Sequence, residues 1–136
     1  VQTCALPILV LPLLDSDLVD IMLACVDGTL SEQQIDWSKD AAVCVVMAAG
    51  GYPKAYNKGD AITGIDDAQA AGCLVFHAGT AHQNGQIVTD GGRVLGVVAK
   101  AENVRAAVDK AYAGVEKISF KDAFYRKDIA HRALER

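Results

Sequence analysis

The middle of the chain, from Ala42 to Val98, constrains the fold most, because apolar runs of strand length alternate there with polar segments that contain glycine. Three of these segments form glycine-bearing corners, at residues 49–53, 76–80 and 89–93. Glycine permits positive φ and lets a backbone approach a ligand closely, so the three corners could form one binding rim. They could equally be three ordinary turns, and their composition leaves both interpretations open.

The apolar runs predict a mostly antiparallel meander of short strands. Ala42–Ala48 is continuously apolar and rich in valine, which is typical of a central strand buried on both faces. Further strands are predicted at Ala61–Thr63, Cys73–Phe76, Gln86–Thr89, Arg93–Ala99 and Lys117–Phe120. The Asn84–Gly85 pair predicts a hairpin turn between the Cys73–Phe76 and Gln86–Thr89 strands.

Helical spacing of apolar residues predicts two clear helices. One begins after an N-cap at Asp15 or Ser16 and ends at Gly28, and the other runs from Val104 to Val115 after an Asn103 cap. A turn or one helical loop is predicted at 66–72, and a short helix is predicted after Ile129. Residues 29–40 are polar around Trp37, whose indole we expect to pack on something larger. They predict a connector between a unit at 1–40 and a unit at 41–136, with an α+β fold.

Composition excludes several classes of function. The 136 residues suffice for one core, and the net charge of -4 gives no electrostatic reason to expect a nucleic-acid partner. No apolar run approaches the roughly 20 residues of a membrane helix, so we expect a soluble protein. Cys4, Cys25, Cys44 and Cys73 lack metal or redox spacing and are predicted to be reduced core cysteines of a cytoplasmic protein.

Candidate chemistry is sparse. His77, His82 and His131 lack the spacing of a metal site, so no metal ligands are expected, and Cys44 lies in an apolar run where its thiol should stay protonated rather than act with His77 as a nucleophile. Residues 89–93 are the better candidate, because glycine amides and a guanidinium suit an anionic oxygen group. The alternative is a tight connection with a surface arginine.

An ordered set of short motifs resembles the C-terminal region of the phosphoribosylamine-glycine ligase family, also called glycinamide ribonucleotide synthetase. The motifs are Leu14–Leu18, Val45–Pro53, Lys58–Asp60, Val75–Thr80, Val88–Leu95, Ala111–Tyr112 and Phe124–Ile129. Each is weak alone, but their order and spacing from about Ile8 onward make the resemblance specific.

The resemblance implies part of an ATP-grasp ligase of purine biosynthesis, which joins glycine to 5-phosphoribosylamine with ATP and magnesium or manganese. The implied chemistry is attack of the glycine carboxylate on the γ-phosphate, followed by displacement of phosphate by the ribosylamine. The implied fold is an antiparallel sheet or barrel-like C-terminal domain with flanking helices, preceded by the last helix of the ATP-grasp domain.

The resemblance also has limits. The family's nucleotide-binding and metal-binding residues precede the matched region, so we expect no catalytic residue in this chain, no activity of it alone, and packing on the ATP-grasp domains. Residues 1–7 do not match and are expected to be foreign to the family. Asp90 and Ala130 stand where asparagine and glycine are frequent, and Asp90 would weaken an anion site at Arg93 unless the two side chains pair.

We expect the three corners to face the substrate cleft of the ligase. The candidate residues are Gly50, Gly51, Tyr52, Pro53, His77, Gly79, Thr80, Gly91, Gly92 and Arg93. The alternative function is a structural or small-ligand-binding cap domain of another ATP-grasp protein.

Overall fold

The computed structural model describes residues 5–135. Its helices are α1 (Ala5–Val10), α2 (Leu18–Asp27), α3 (Ile65–Ala70), α4 (Val104–Val115) and α5 (His131–Leu134), with short 3-10 helices at Leu11–Leu13 and Leu30–Glu32. Its strands are β1 (Ala41–Ala48), β2 (Leu74–His77), β3 (Thr80–Gln83), β4 (Gln86–Thr89), β5 (Arg93–Ala101) and β6 (Phe124–Tyr125). No helix among these residues is long and apolar enough to cross a bilayer.

The main sheet has four antiparallel strands in the order β2-β5-β1-β6, and β3 and β4 form a separate two-stranded hairpin. The predicted α+β class and antiparallel pairing are confirmed. The sheet stays open in the described residues, so it is not a barrel. In a meander, consecutive strands would pair, and this prediction is wrong because β5 pairs with β1 and β2. The long, valine-rich strands β1 and β5 pair over most of their length, from Ala41 opposite Ala101 to Ala48 opposite Arg93.

The core lies between the sheet and α4. Val45 of β1 and Val97 of β5 are fully buried, as are Ala107 and Ala111 on the inner side of α4. Val46 points to the other face of β1 and is 39% exposed. The prediction that β1 is buried on both faces is therefore wrong, since α4 covers one face of the sheet and the other is left partly open.

The hairpin differs from its prediction. Asn84 and Gly85, both with positive φ, turn the chain between β3 and β4, whereas β2 pairs with β5. Strand β3 was not predicted, because Thr80–Gln83 carries no apolar alternation. Its backbone pairing with β4 defines it instead.

Several element ends follow side-chain hydrogen bonds. Asp17, not Asp15 or Ser16, caps α2, and its Oδ1 accepts from the Val19 amide at 2.7 Å. The Ser16 hydroxyl instead accepts from the Asp36 amide at 2.8 Å, which ties the connector to the start of α2. Gly28 ends α2 in the left-handed region, and Asn103 caps α4, as predicted.

Two short predicted strands are not formed. Ala61–Thr63 makes isolated bridges from Ala61 to Val88 and from Thr63 to Ser119. In the strand predicted at Lys117–Phe120, the bridge from Ser119 to Thr63 is likewise isolated. Neither segment pairs continuously with a neighbour, so neither forms a strand of a sheet.

The cysteines occupy three different environments. Cys73 is buried, Cys44 is half-buried and Cys25 is exposed. The prediction of a core position is therefore wrong for Cys25, which lies on an outward side of α2. Cys4 and most of the unmatched segment 1–7 lie outside the described residues.

Candidate functional site

The glycine-bearing corners meet at a hollow of about 720 Å³ beside the open face of the sheet, which we call the corner hollow. Its rim is formed by Tyr52, residues 77–80 and residues 90–93. Its floor is formed by Val46, Phe76, Leu95 and Gly96, with Ile8 of α1 at one side. The hollow thus combines an apolar floor with a polar rim.

Most of the candidate residues lie at the corner hollow, and three do not. Those that line it are Tyr52, His77, Gly79, Thr80, Gly91, Gly92 and Arg93; those that do not are Gly50, Gly51 and Pro53. Gly50 lies tightly against Asp122 instead, and Gly51 lies against the Ala55 carbonyl. The first corner therefore contributes one side chain to the hollow, that of Tyr52.

Backbone hydrogen bonds hold the second and third corners together. The Ala78 and Gly79 amides both donate to the Val94 carbonyl, at 3.0 and 3.1 Å, where β5 begins beside the end of β2. The Asp90 amide donates to the Gly79 carbonyl at 2.8 Å. The strand ends of the main sheet and of the hairpin thereby fix the rim.

Glycine is required where these two corners touch. A Cβ on Gly79 would lie 2.7 Å from the Gly91 Cα and 2.5 Å from the Arg93 carbonyl oxygen, closer than real Cβ atoms approach. The close approach therefore needs glycine whether or not a ligand binds.

The first corner joins the third through an aromatic contact. The Ala49 amide donates to the Gly92 carbonyl at 2.9 Å, and a Cβ on Gly92 would overlap the Tyr52 ring. The Tyr52 ring also meets the edge of Tyr56 at a centroid distance of 6.1 Å. Tyr52 is thus held over the backbone of the third corner and forms one wall of the hollow.

The polar groups of the rim include a histidine–hydroxyl pair and an ion pair. His77 Nδ1 lies 2.9 Å from the Thr80 hydroxyl. Asp90 Oδ1 lies 3.1 Å from Lys58 Nζ. Arg93 is exposed at the rim, where a guanidinium beside glycine amides suits an anionic oxygen group. The carboxylate expected to affect an anion site at Arg93 thus forms an ion pair with Lys58.

The sequence does not predict the ion pair of Lys58 with Asp90. The motif Lys58–Asp60 was recognised, but Asp90 is distant in sequence, and opposite charge alone does not identify a pair. The apolar floor was also missed, because Val46 and Phe76 were assigned to strands without knowing which face stays open.

Two other kinds of site were considered from the sequence, a cysteine nucleophile and a metal site. Burial raises the pKa of the Cys44 thiol, which keeps it protonated, as expected for a cysteine in an apolar run. No three His, Cys, Asp or Glu side chains within residues 5–135 converge to hold a metal ion.

A family model described as "Phosphoribosylglycinamide synthetase, C domain" matches residues 42–132. The chain belongs to this phosphoribosylglycinamide synthetase family. The match includes every residue of the rim of the corner hollow. It confirms the family resemblance given by the motifs.

Named relatives of this synthetase family agree. The chain is 48% identical over 126 residues to phosphoribosylamine–glycine ligase of Synechocystis, covering 92% of this chain and 30% of that protein. It is 48% identical to the human trifunctional purine biosynthetic protein adenosine-3, again over 126 residues, covering 92% of this chain and 12% of that protein. The chain therefore spans less than a third of the length of either relative.

A solved structure of the synthetase family has the same fold. The crystal structure of phosphoribosylamine–glycine ligase from Thermotoga maritima matches with a TM-score of 0.63 at 35% identity, over 79% of this chain and 27% of that one. The mixed helix and antiparallel sheet arrangement is thus shared with a domain of that enzyme.

Proposed function

We propose that the chain is the C-terminal part of an ATP-dependent ligase that joins glycine to 5-phosphoribosylamine in de novo purine (IMP) biosynthesis, in the cytoplasm. The observation that carries this proposal is the 48% identity to phosphoribosylamine–glycine ligase of Synechocystis over 92% of this chain. The shared fold with the Thermotoga ligase supports it.

The remainder of such a ligase would supply the catalytic groups. ATP and magnesium or manganese are the cofactors implied for the whole enzyme. We propose that the metal also binds in that remainder, whereas this chain supplies neither metal ligands nor catalytic groups. Its proposed contribution is to position substrate and to close one side of the cleft.

The corner hollow is the proposed contact with substrate. 5-Phosphoribosylamine carries a phosphate, and the third corner offers Arg93 beside the amides of Gly91 and Gly92. The apolar floor would exclude water beneath the bound group. Under this proposal the rim binds anionic oxygen, and Tyr52 limits the size of the hollow.

The outer side of α2 is the proposed contact with the ATP-grasp domains. Val19, Met22, Leu23 and Val26 follow one another at helical spacing, and all four are more than half exposed. An exposed apolar stripe of this kind is typical of an interface. We propose that the rest of the ligase covers it.

A purely structural role for the corners is the second candidate. The tight contacts of Gly79 with Gly91 and of Gly92 with Tyr52 require glycine without any ligand. These contacts favour a cap that keeps the ATP-grasp halves aligned. Arg93 is the residue that separates the two candidates, because its loss should weaken substrate binding under the first candidate and lower only the stability under the second.

The experiment is a chimera in which residues 8–136 replace the matching segment of the Synechocystis ligase. We expect it to form ADP only when glycine and 5-phosphoribosylamine are both present. A folded chimera that forms no ADP would contradict the proposed function.

The same chimera tests the corner hollow. We expect Arg93→Ala to raise KM for phosphoribosylamine about tenfold or more, because a charge-assisted contact contributes roughly 1.5–3 kcal/mol. Arg105→Ala, on the exposed side of α4, is the matched control and should leave KM unchanged. An unchanged KM with a lower Tm for Arg93→Ala would support the structural cap instead.

A further inference from the structure

The segment that follows the first corner carries a lysine that pairs with Asp90 of the rim of the corner hollow. Lys58 Nζ lies 3.1 Å from Asp90 Oδ1, and both side chains are about half exposed. Asp90 lines the corner hollow, and together with Lys58 it also lines a second, more polar hollow on the other side of the corner. Asp90 is therefore shared by the two hollows, whereas Lys58 lines only the second.

Backbone bonds fix the lysine beside its partner. The Gly59 amide donates to the Thr89 carbonyl at 2.7 Å, and the Asp60 amide donates to the Thr89 hydroxyl at 3.1 Å. The Thr89 amide donates back to the Asp60 carbonyl at 2.9 Å. Because Lys58 and Asp90 flank these bonded residues, their side chains are brought together by the backbone rather than by chance.

The charge of Asp90 matters for any anion at this rim. A carboxylate at the rim repels an incoming anion. In the structure Lys58, which lines the second hollow, forms an ion pair with this carboxylate.

We propose that Lys58 is a positioning residue that holds the Asp90 carboxylate in an ion pair and so lets the corner at residues 90–93 accept an anionic group. This inference rests on the proposed anion-binding role of the corner hollow. Without Lys58, the negative charge of Asp90 at the rim is no longer compensated by an ion pair, and it repels an incoming anion there. The pair thus determines the affinity of the rim for the anion without touching the anion itself.

The test is a titration of the 136-residue chain with inorganic phosphate at low ionic strength and fixed pH, followed by the NMR shifts of the Gly79, Gly91 and Gly92 amides. We expect Lys58→Met to weaken phosphate binding by roughly two- to fivefold, the range of exposed ion pairs. Lys54→Met removes the same charge from an exposed position in the same segment and should bind like the unsubstituted chain.

The double variant separates ion pairing from a general loss of positive charge. Once Asp90→Asn is present, Lys58→Met should change the affinity by much less than it does alone, because no carboxylate is left to repel the anion. Lys58→Gln should behave like Lys58→Met, and unchanged amide shifts far from the hollow would show that each variant is folded.

Two different failures can be told apart. If the unsubstituted chain binds phosphate but Lys58→Met is no weaker than Lys54→Met, or is equally harmful with Asp90→Asn, then the role of Lys58 is overturned and the anion site stands. If the three glycine amides of the unsubstituted chain do not respond to phosphate, the anion site itself is overturned, and the role of Lys58 with it.

Discussion

At the scale of single residues, Gly92 shows why a corner can depend on glycine without touching a ligand. Its backbone lies directly under the Tyr52 ring, and an added Cβ would overlap ring atoms. We expect Gly92→Ala to destabilise the chain by about 1–3 kcal/mol, because the rigid ring and the backbone below it cannot both keep their places. Urea denaturation measures the change.

A second substitution identifies the cause of that loss. In a Tyr52→Ala background the ring is absent, so adding Gly92→Ala should cost much less than it does in the unsubstituted chain. An equal cost in both backgrounds would mean that the Tyr52 contact is not what requires glycine at this corner.

At the scale of elements, the C-terminal tail is fastened to α4 by a few polar contacts. The Tyr112 hydroxyl of α4 donates to the Arg126 carbonyl at 2.7 Å and accepts from the Ile129 amide at 3.2 Å. Between these points Arg126 forms two hydrogen bonds to the Asp128 carboxylate, at 2.9 and 2.6 Å. The segment from Arg126 to Ile129 is therefore fixed against Tyr112 of α4.

The pairing with Arg126 makes the stability of the tail depend on pH. The hydrogen bond from Arg126 lowers the pKa of Asp128 from 3.8 to about 2. A carboxyl whose pKa is lower in the folded chain stabilises it at pH values above its unfolded pKa, and this contribution is lost as the pH falls from about 4 towards about 2. We expect Asp128→Asn to lose less stability than the unsubstituted chain over this window.

An NMR titration of the Asp128 carboxyl checks the cause directly. Its midpoint should lie at about 2 in the unsubstituted chain. With Arg126→Met the midpoint should rise towards the ordinary value, since the hydrogen bond is gone. A midpoint already near the ordinary value in the unsubstituted chain would contradict this assignment.

Elements defined by local signals could be predicted from the sequence. Helix α4 has a regular apolar stripe and an asparagine cap, and β1 is a long valine-rich run, so both appear where their patterns place them. Strand β3 has no such pattern and exists because its backbone pairs with β4. The pairing of β1 with β5 is equally invisible locally, because it joins segments far apart in the chain.

The candidate site likewise has a part that the sequence predicts and a part that depends on tertiary contacts. Glycine and aromatic composition pointed to the corners, and seven of the ten candidate residues line one hollow. Gly50, Gly51 and Pro53 do not line it. Gly50 packs against Asp122, and Gly51 packs against the Ala55 carbonyl. The partnership of Lys58 with Asp90 depends on tertiary structure and could not be predicted from either residue.

At the scale of the whole molecule, exposed apolar side chains gather on the segment that precedes the sheet. The large exposed residues include Val10, Leu11, Leu18, Val19, Met22, Leu23, Val26, Leu30, Ile35 and Trp37. Trp37, expected to pack on something larger, is 50% exposed within this chain. Since relatives such as the Synechocystis ligase are more than three times as long as the matched region, the proposed covering partner is the rest of such a ligase.

Val26 tests that assignment, because it is 84% exposed in this chain and is the last residue of the exposed apolar stripe on α2. In the isolated chain, Val26→Glu should change the free energy of unfolding by less than about 0.5 kcal/mol, as exposed substitutions usually do. In the chimera with the Synechocystis ligase it should destabilise by about 1–3 kcal/mol or more, because a carboxylate would be buried in an apolar interface. Asp109→Lys, an exposed charge change on α4, is the control and should have little effect in either protein. Equal and small effects of Val26→Glu in both proteins would mean that the rest of the ligase does not cover α2.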